Sequence, residues 1–526
     1  MLLELPCYPT IPEVHKDKKN NPLQPIHTNN FNIVDNIILF MEEYGQWDST
    51  LTFIFAMIGV AIGLGNIWRF SYIVYSNGGG AFFIPYIFAI AIMGIPFLIL
   101  EYGIGFSFKQ SFSEIFKSIN PKFEYIAWIL IFSISIVLIY YMVIISWDLF
   151  YLVKSLTFSW GSDTAAYFVQ NVGGSENLSK IGNFFIPAGI GVIVSWFILW
   201  FISHRSIDKG IGLASKILIP AVFVIMAIIV IYALTLPGAS IGIDTLLYPN
   251  WNLLFDINIW IVAFSQIIFS LGIGEALALT YASYLSDNKG LTDNVFFVVA
   301  SNSSFEIFTA FGVFSILGYM SATSGIPMIQ IVSEGTGLIF VVFPKIFSLM
   351  GIIGRFLAPL FFLAVLFAGI SSAFAFFEPI IGSISSKSNM SRKKLVTILS
   401  IIGCLCSLIF TCGISSYLVG IVDGFVNKFG ILLLIAIQCV VFGWYYGAEK
   451  VIPVLNEKSR IKVGFIWTAL IKYILPIFLV IIWLIGIVDL FMTVNQFELM
   501  IDLGLIIIVL TLSYIFYKMK PKEDTV

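Results

Sequence analysis

Two glycine-rich runs inside apolar segments hold the residues whose types and spacing best suit ion and substrate binding. The first is Gly-Val-Ala-Ile-Gly-Leu-Gly-Asn at 59–66, and the second is Ser-Leu-Gly-Ile-Gly-Glu at 270–275. Glycine holds a helix poorly, and its bare backbone can approach a ligand closely. An unwound segment exposes N–H groups for an anion and C=O groups for a cation. The alternative is tight packing through small residues, which is common between membrane helices.

Glu275, at the end of the second run, places a carboxyl group within an apolar segment. A charge at mid-membrane is costly unless something compensates it. Three interpretations are open: a partner for a cationic substrate side chain such as that of lysine, ornithine or arginine, a proton-binding carboxyl group, or a structural group hydrogen-bonded to a neighbouring helix. The first is our working hypothesis.

The amino-acid composition indicates the kind of protein in which these two runs lie. Of the 526 residues, 59% are hydrophobic and 11% are charged, and the mean hydropathy is +0.98. A soluble domain of this length needs more charge at its surface, so we predict an all-α integral membrane protein in a lipid bilayer. The formal net charge of -2 argues against a nucleic-acid partner. Only three histidines occur, with no metal-ligand spacing, so we expect no enzyme.

Apolar runs long enough to cross ~30 Å of hydrocarbon predict about twelve transmembrane helices. They fall near 49–71, 81–105, 125–153, 184–203, 211–235, 258–284, 292–320, 350–384, 394–413, 415–446, 465–490 and 498–518. Residues 321–349 are too interrupted by Gly and Pro for a span and predict an external re-entrant or capping loop. With the N-terminus inside, most basic residues fall on inner segments, which predicts that both termini are cytoplasmic in a cell membrane.

The glycine-rich runs lie in spans one and six, the corresponding positions of two five-helix halves, which points to an inverted-repeat transporter. We therefore divide the chain into four parts. Residues 1–45 form a cytoplasmic N-terminal tail, largely disordered, and 46–250 form the first half with helices 1–5 and an external loop. Residues 251–447 form the second half with helices 6–10, and 448–526 form helices 11–12 and a short cytoplasmic C-terminus.

Several motifs closely resemble those of the neurotransmitter:sodium symporter family, in its bacterial and archaeal amino-acid transporter branch. They are Gly-Leu-Gly-Asn-Ile-Trp-Arg-Phe at 63–70, Asn-Gly-Gly-Gly-Ala-Phe-Phe-Ile-Pro-Tyr at 77–86, Gln-Ile-Ile-Phe-Ser-Leu-Gly at 266–272, Thr-Tyr-Ala-Ser-Tyr at 280–284 and Phe-Ala-Gly-Ile-Ser-Ser at 367–372. The resemblance runs from Trp47 to span twelve. It implies a 5+5 inverted repeat with helices 1 and 6 unwound, and amino-acid import coupled to Na⁺ by alternating access.

The resemblance also implies two sodium sites built from neutral oxygen ligands. The first would use the Ala61 carbonyl, Asn66, Ser270 and Asn302, together with the carboxylate of the substrate. The second would use the carbonyls of Gly59, Ile62 and Ala368 with the hydroxyls of Ser371 and Ser372. A carboxylate shared between substrate and sodium makes the two bind better together.

The substrate pocket that the resemblance implies lies between the two unwound segments. Its residues would be Val60, Ala61, Gly63, Leu64, Gly65, Val137, Tyr141, Phe269, Ser270, Gly272, Glu275, Ser372 and Phe376. Amine transporters of the family have an aspartate where Gly63 stands, so Gly63 favours an amino-acid substrate. Glu275 departs from the family, whose members usually have an apolar or aromatic residue there.

The gates follow the family outside and depart from it inside. Arg69 and Asp423 match the ion pair of the extracellular gate, with Phe269 as the aromatic lid. On the inner side the family has an arginine and an acidic residue, and Tyr44 and Ser386 stand in their places. We expect the inner vestibule to close through Trp47, Tyr284 and Asp48 instead, whereas the role of Glu378 is open.

Glu306 lies four residues after Asn302, on the same face of a helix. Chloride-dependent members of the family have a small polar residue there and bind an anion beside it. Glu306 would substitute for that chloride, so we expect sodium at two sites and no chloride. The alternatives to a sodium-coupled amino-acid symporter are a proton-coupled or amine transporter of the same fold and an amino-acid sensor that does not transport.

Overall fold

The computed structural model describes residues 45–331 and 335–520. The predicted tail at 1–45 lies outside the described residues except for Gly45, so nothing is described of Tyr44. Over the described ranges, the long regular elements are helices, and strand pairing is limited to one isolated bridge between Phe184 and Cys412. The chain therefore has the predicted all-α architecture.

The first half of the chain contains five spans, the first of them in two pieces. The elements are α1 (Thr50–Ala61), α2 (Leu64–Ser76), α3 (Gly79–Phe108), α4 (Phe112–Ile119), α5 (Pro121–Ser155), α6 (Thr164–Val172), α7 (Ile186–Ser203), α8 (Asp208–Leu234) and α9 (Ala239–Leu247). Helices α4, α6 and α9 are short and connect the spans.

The rest of the chain contains seven spans, again with the first of them in two pieces. The elements are α10 (Ile257–Leu271), α11 (Leu277–Ser283), α12 (Leu291–Ser324), α13 (Leu338–Leu349), α14 (Ile352–Ser385), α15 (Arg392–Leu408), α16 (Ser415–Phe425), α17 (Leu432–Glu457), α18 (Phe465–Val488) and α19 (Gln496–Lys518). Helix α13 lies in the predicted external connection at 321–349, where Phe340 packs on Trp147 and Tyr151 of α5.

Nine of the described helices are long and apolar enough to cross a membrane: α3, α5, α7, α8, α12, α14, α17, α18 and α19. The other three predicted spans are α1 with α2, α10 with α11, and α15, which has 17 residues. The prediction of about twelve spans, with spans one and six unwound, is confirmed. The chain is thus a multi-pass membrane protein.

At both interruptions the backbone angles depart from those of an α-helix. In span one, Ile62 is extended at φ -82° and ψ 93°, and Gly63 is extended at φ -115° and ψ -168°. In span six, Gly272, Gly274 and Ala276 have φ of 58°, 75° and 65°. The left-handed region is cheap for glycine but costs an L-residue such as Ala276 roughly 1–2 kcal/mol. Strain of this kind persists where the surrounding structure fixes it, and it is concentrated at functional sites.

The inner half of span six is held by close helix packing. Helix α11 lies against α3, where Gly105 faces the backbone of Leu279; a Cβ atom on Gly105 would lie 2.1 Å from the Leu279 carbonyl oxygen. Real atoms do not approach so closely, so only glycine allows this spacing. The packing fixes α11 beside the interruption that ends at Ala276.

We predict that Gly105→Ala destabilises the protein by about 1–3 kcal/mol, because the added methyl group must displace the α11 backbone. The measurement is the melting temperature of the purified protein in detergent. Gly504→Ala on α19 is the matched control, since a Cβ there meets nothing within 4 Å. Equal melting temperatures for the two variants would contradict the close packing of α3 on α11.

Candidate functional site

A chain of hydrogen bonds joins both unwound spans to α12 in the protein interior. The Gly63 amide donates to Asn66 Oδ1 at 3.0 Å, and Asn66 Nδ2 donates to Asn302 Oδ1 at 2.7 Å. Asn302 Nδ2 then donates to Ser270 Oγ at 2.5 Å. Asn66, Ser270 and Asn302 are all buried. The three side chains predicted for the first sodium site therefore lie together, on three different helices.

Backbone groups complete this cluster. The Gly63 amide lies 3.1 Å from the Ala61 carbonyl, the fourth predicted ligand of the first site. Thr309 Oγ1 on α12 donates to the Asn66 carbonyl at 3.1 Å, a contact that sequence reasoning missed. The cluster thus offers neutral carbonyl, amide and hydroxyl oxygens, which suit a hard cation.

The residues predicted for the second site bring α14 against α1. Ser372 Oγ donates to the Gly59 carbonyl at 3.3 Å and lies 3.4 Å from the Ala368 carbonyl. Ser371 Oγ donates to the Ala368 carbonyl at 2.8 Å. Ile62, the fifth predicted ligand, is the extended residue at the end of α1. The two serines, the Gly59 carbonyl and the Ala368 carbonyl therefore form a second cluster of oxygen atoms.

Gly63 faces the predicted carboxylate-binding groups. A Cβ atom on Gly63 would lie 3.0 Å from Ser372 Oγ and 3.5 Å from Tyr141 Oη. Tyr141 Oη is buried, close to Ser372 and to the Leu64 backbone. Leu64 and Gly65 begin α2, where the first amide groups of a helix lack intrahelical partners and attract anions. A hydroxyl beside a helix N-terminus suits a carboxylate.

The remaining predicted pocket residues line the same region. The Tyr141 and Phe376 rings have centroids 6.1 Å apart, and Val137 lies one turn before Tyr141 on α5. On the opposite side, a Cβ atom on Gly272 would lie 3.3 Å from Val60 Cγ1. These contacts join the walls contributed by α1, α5, α14 and span six.

On the outer side, the Arg69 guanidinium lies 4.2 Å from the centroid of the Phe269 ring. The Asp423 carboxylate accepts a hydrogen bond of 2.6 Å from the Tyr140 hydroxyl. Arg69 thus lies directly over the residue predicted to form the lid. The Arg69–Asp423 ion pair of a closed outer gate stays a prediction.

On the inner side, a network links Trp47, α11, α14 and α15. Trp47 Nε1 donates to the Tyr281 carbonyl at 2.8 Å, and the Trp47 amide donates to the Tyr284 carbonyl at 3.2 Å. The Tyr284 hydroxyl donates to Glu378 Oε1 at 3.0 Å, and Arg392 binds both oxygens of Glu378 at 2.6 and 2.8 Å. All five residues of this network are buried, and they lie where the inner gate is predicted.

Sequence reasoning found only part of this inner network. It expected Trp47 and Tyr284 and left Glu378 open, and it did not single out Arg392. Arg392 is in fact buried on α15 beside the Glu378 carboxylate, and Ser386 contacts Ser113 at 3.4 Å. The pair could not be read from one sequence, because the two residues belong to different helices.

Asp48 lies beside this network at the start of α1. Its carboxylate pairs with Lys216 of α8 at 2.5 Å and accepts from the Thr52 hydroxyl. Partial burial raises the pKa of Asp48, but the hydrogen bonds from Lys216 and Thr52 outweigh it and lower the pKa to about 2. Asp48 is therefore ionised at neutral pH and attaches the start of α1 to α8.

Glu306 is buried and accepts two hydrogen bonds, from the Tyr86 hydroxyl at 2.5 Å and from Gln266 Nε2 at 2.8 Å. Its carboxylate therefore lies one helical turn from Asn302 in a fixed position. Glu101 is buried beside the Gly274 backbone.

Sequence reasoning also passed over Asp148, seven residues after Tyr141 on α5. Both of its carboxylate oxygens are buried without a hydrogen-bond partner among residues 45–331 and 335–520. The available signal was an acidic residue inside an apolar run, which is itself unusual in a membrane span.

We predict that Glu378→Gln destabilises the protein by about 3–5 kcal/mol, because it leaves the Arg392 charge buried without its partner. Tyr284→Phe removes one hydrogen bond and should cost about 1–3 kcal/mol. The measurement is thermal denaturation in detergent at one sodium concentration. The double variant Glu378→Leu with Arg392→Met should melt at a higher temperature than Glu378→Gln. If the double variant melts at the lower temperature, the unpaired Arg392 charge is not the cause of the destabilisation.

Comparison with known proteins agrees with this geometry. The profile of the sodium:neurotransmitter symporter family matches residues 44–180 and 161–519. An uncharacterised sodium-dependent transporter of Methanocaldococcus jannaschii is 40% identical over 438 residues, which cover 83% of this chain and 89% of that protein. A sodium-dependent dopamine transporter of Caenorhabditis elegans is 28% identical over 479 residues, covering 80% of this chain and 77% of that protein.

A sodium- and chloride-dependent GABA transporter 2 of Rattus norvegicus is 29% identical over 469 residues, covering 82% of this chain and 77% of that protein. The family match covers nearly the whole described chain and includes both unwound spans, the two oxygen clusters and the inner network. Members of this family are sodium-dependent transporters and not enzymes. The chain belongs to the sodium:neurotransmitter symporter family.

Proposed function

We propose that the protein imports an amino acid together with Na⁺ across the cell membrane by alternating access, with both termini in the cytoplasm. The observation that carries this proposal is the buried chain Gly63–Asn66–Asn302–Ser270, which places neutral oxygens at both interrupted spans. A sodium ion bound there would replace hydrogen bonds between uncharged groups. The substrate carboxylate, bound beside Gly63, would supply the negative charge.

An amino acid fits the pocket better than a monoamine. A side chain on Gly63 would reach Ser372 and Tyr141, so its absence leaves the Tyr141 hydroxyl and the first amides of α2 open to a carboxylate. A monoamine has no carboxylate for these donors. One relative is named for dopamine and another for GABA, so the family includes both chemical classes. An amine transporter of the same fold remains the alternative.

A carboxylate shared by the substrate and the first sodium ion would couple their binding. Each ligand then raises the affinity for the other by the same factor, as linkage requires. The second oxygen cluster, at Gly59, Ala368, Ser371 and Ser372, would bind another sodium ion between α1 and α14. Its occupancy would favour one arrangement of α1 against α14. A proton-coupled transporter or a sensor that does not transport lacks this requirement for sodium.

We predict that Asn302→Ala weakens sodium-dependent substrate binding about tenfold or more, since a lost ligand to a charge costs about 1.5–3 kcal/mol. The measurement is uptake of a radiolabelled amino-acid panel into proteoliposomes, with a sodium gradient against a potassium gradient. Asn294→Ala, two turns earlier on α12, is the matched control. Uptake that is independent of sodium in the unmodified protein would overturn the proposal of sodium symport.

We also propose that transport does not require chloride, because Glu306 supplies the negative charge near the first sodium site. Its buried carboxylate accepts from Tyr86 and Gln266, the donors that a bound chloride would need. A chloride ion beside it would meet a like charge at short range, which is costly where the dielectric is low.

The expected result is that replacing chloride by gluconate leaves uptake by the unmodified protein unchanged. Glu306→Ser should lower uptake in gluconate, and chloride should restore it, because the smaller residue leaves both space and donors for the anion. Glu306→Gln is the matched control: it removes the charge but not the volume, so chloride should not restore its uptake. Strong chloride stimulation of the unmodified protein would overturn this proposal.

A further inference from the structure

We propose that Glu275 selects an amino acid whose side chain ends in a cation, an ammonium or guanidinium group as in lysine, ornithine or arginine. The inference rests on the proposed function, because it names the substrate class of the same site. It is carried by the position of the Glu275 carboxyl group, its burial without a partner, and the charges around it.

The backbone places Glu275 in the pocket. It lies in the interruption between α10 and α11, and its two neighbours, Gly274 and Ala276, both have left-handed φ angles, of 75° and 65°. The Gly274 carbonyl is held by Gln438 Nε2 of α17 at 2.6 Å. The Glu275 side chain therefore leaves a fixed, non-helical segment and does not lie on an ordinary helix face.

The carboxyl group borders the predicted side-chain pocket. A Cβ atom on Gly272 would lie 3.7 Å from Glu275 Oε2 and 3.3 Å from Val60 Cγ1. Val60 and the Glu275 carboxyl group therefore lie on either side of Gly272, which packs closely against both. An aliphatic chain that packs on Val60 would bring its charged end to Glu275.

Glu275 is buried, with 3% of its surface exposed. Within the described ranges it makes no hydrogen bond and no ion pair, whereas Glu306 and Glu378 of the same region are both paired. Glu306 accepts from Tyr86 and Gln266, and Glu378 is bound by Arg392. A structural carboxyl group would show partners of this kind, since buried polar groups are hydrogen-bonded in nearly all cases.

The charges nearest to Glu275 are negative. Asp423 acts on it electrostatically, and Glu275 in turn acts on Glu101. Arg69 lies over the Phe269 ring and acts on Glu306. The negative charge of Asp423 adds to the cost of an ionised Glu275, and a cationic side chain bound to Glu275 would offset that cost.

The test is a competition experiment on the purified full-length protein with radiolabelled lysine, in sodium and in potassium buffer. Norleucine is the informative competitor, because it matches the carbon chain of lysine and lacks the terminal ammonium group. We expect lysine to bind about 100-fold more tightly than norleucine in sodium, the ratio that follows from a paired buried charge. Ornithine and arginine should compete as lysine does.

Glu275→Gln keeps the size of the side chain and removes its charge. It should lose the preference for lysine and bind norleucine at least as well. Asp502→Asn on α19 is the matched control, because it neutralises another buried membrane carboxylate outside the pocket and should keep the preference. If Glu275→Gln does not fold, the lysine-to-norleucine ratio of the unmodified protein is itself the test.

The outcomes separate this inference from the proposed function. Sodium-dependent binding of norleucine equal to or tighter than that of lysine overturns the role of Glu275 and leaves the symporter intact. Equal weakening of lysine and norleucine in Glu275→Gln also overturns it, since the carboxylate would then bind a sodium ion or a proton. Binding of amino acids that does not depend on sodium overturns the proposed function itself.

Discussion

The structure depends on how two interrupted helices satisfy their backbone in the middle of a membrane. Lipid offers no hydrogen bonds, so irregular backbone at that depth must be served by protein groups. Here the donors and acceptors come from side chains of neighbouring spans. Asn66 accepts from the Gly63 amide, Thr309 donates to the Asn66 carbonyl, Ser372 donates to the Gly59 carbonyl, and Gln438 donates to the Gly274 carbonyl. Asn66 and Ser372 also belong to the candidate ion sites, so local folding and the proposed ion binding share these atoms.

Because these polar groups act between different helices, one sequence predicts the interruptions but not the residues that meet at them. The interruptions were predictable, because glycines at 59–65 and 272–274 leave a local signal in an otherwise apolar run. The polar residues that meet there were predictable only through motifs that resemble a family. Asn302 and Ser270 belong to different spans, and nothing in their local sequence shows that Asn302 Nδ2 lies 2.5 Å from Ser270 Oγ. Thr309 and Gln438 were missed for the same physical reason, since each serves a backbone group of another helix.

The buried acidic residues fall into two groups, those with a hydrogen-bond or ion-pair partner and those without one in the described residues. Glu306, Glu378 and Glu124 have donors or cations: Glu124 pairs with Lys387 at 2.6 Å. Asp148 has no hydrogen-bond partner among residues 45–331 and 335–520, and Glu275 makes neither hydrogen bond nor ion pair there. Because an unpaired carboxylate in a membrane is costly, the first group stabilises the fold and the second is where ligands or protons can act. The sequence alone could not make this division, because partners are a property of packing.

The inner network suggests how α1 and α11 can move at low cost. The strong charge pair, Glu378 with Arg392, lies between α14 and α15 and need not break when the inner end opens. Trp47 is joined to Tyr281 and Tyr284 by its indole and amide groups, so the start of α1 and the end of α11 form one moving unit. Opening of this end would break the bond from the Tyr284 hydroxyl to Glu378, worth about 1.5–3 kcal/mol for a charged acceptor, and the surface pair of Asp48 with Lys216 if α1 moves away from α8. Binding of one or two ions with micromolar to millimolar affinity exceeds that free energy. Sodium bound at the proposed sites would therefore offset the loss of these contacts while the buried pair of Glu378 with Arg392 stays intact.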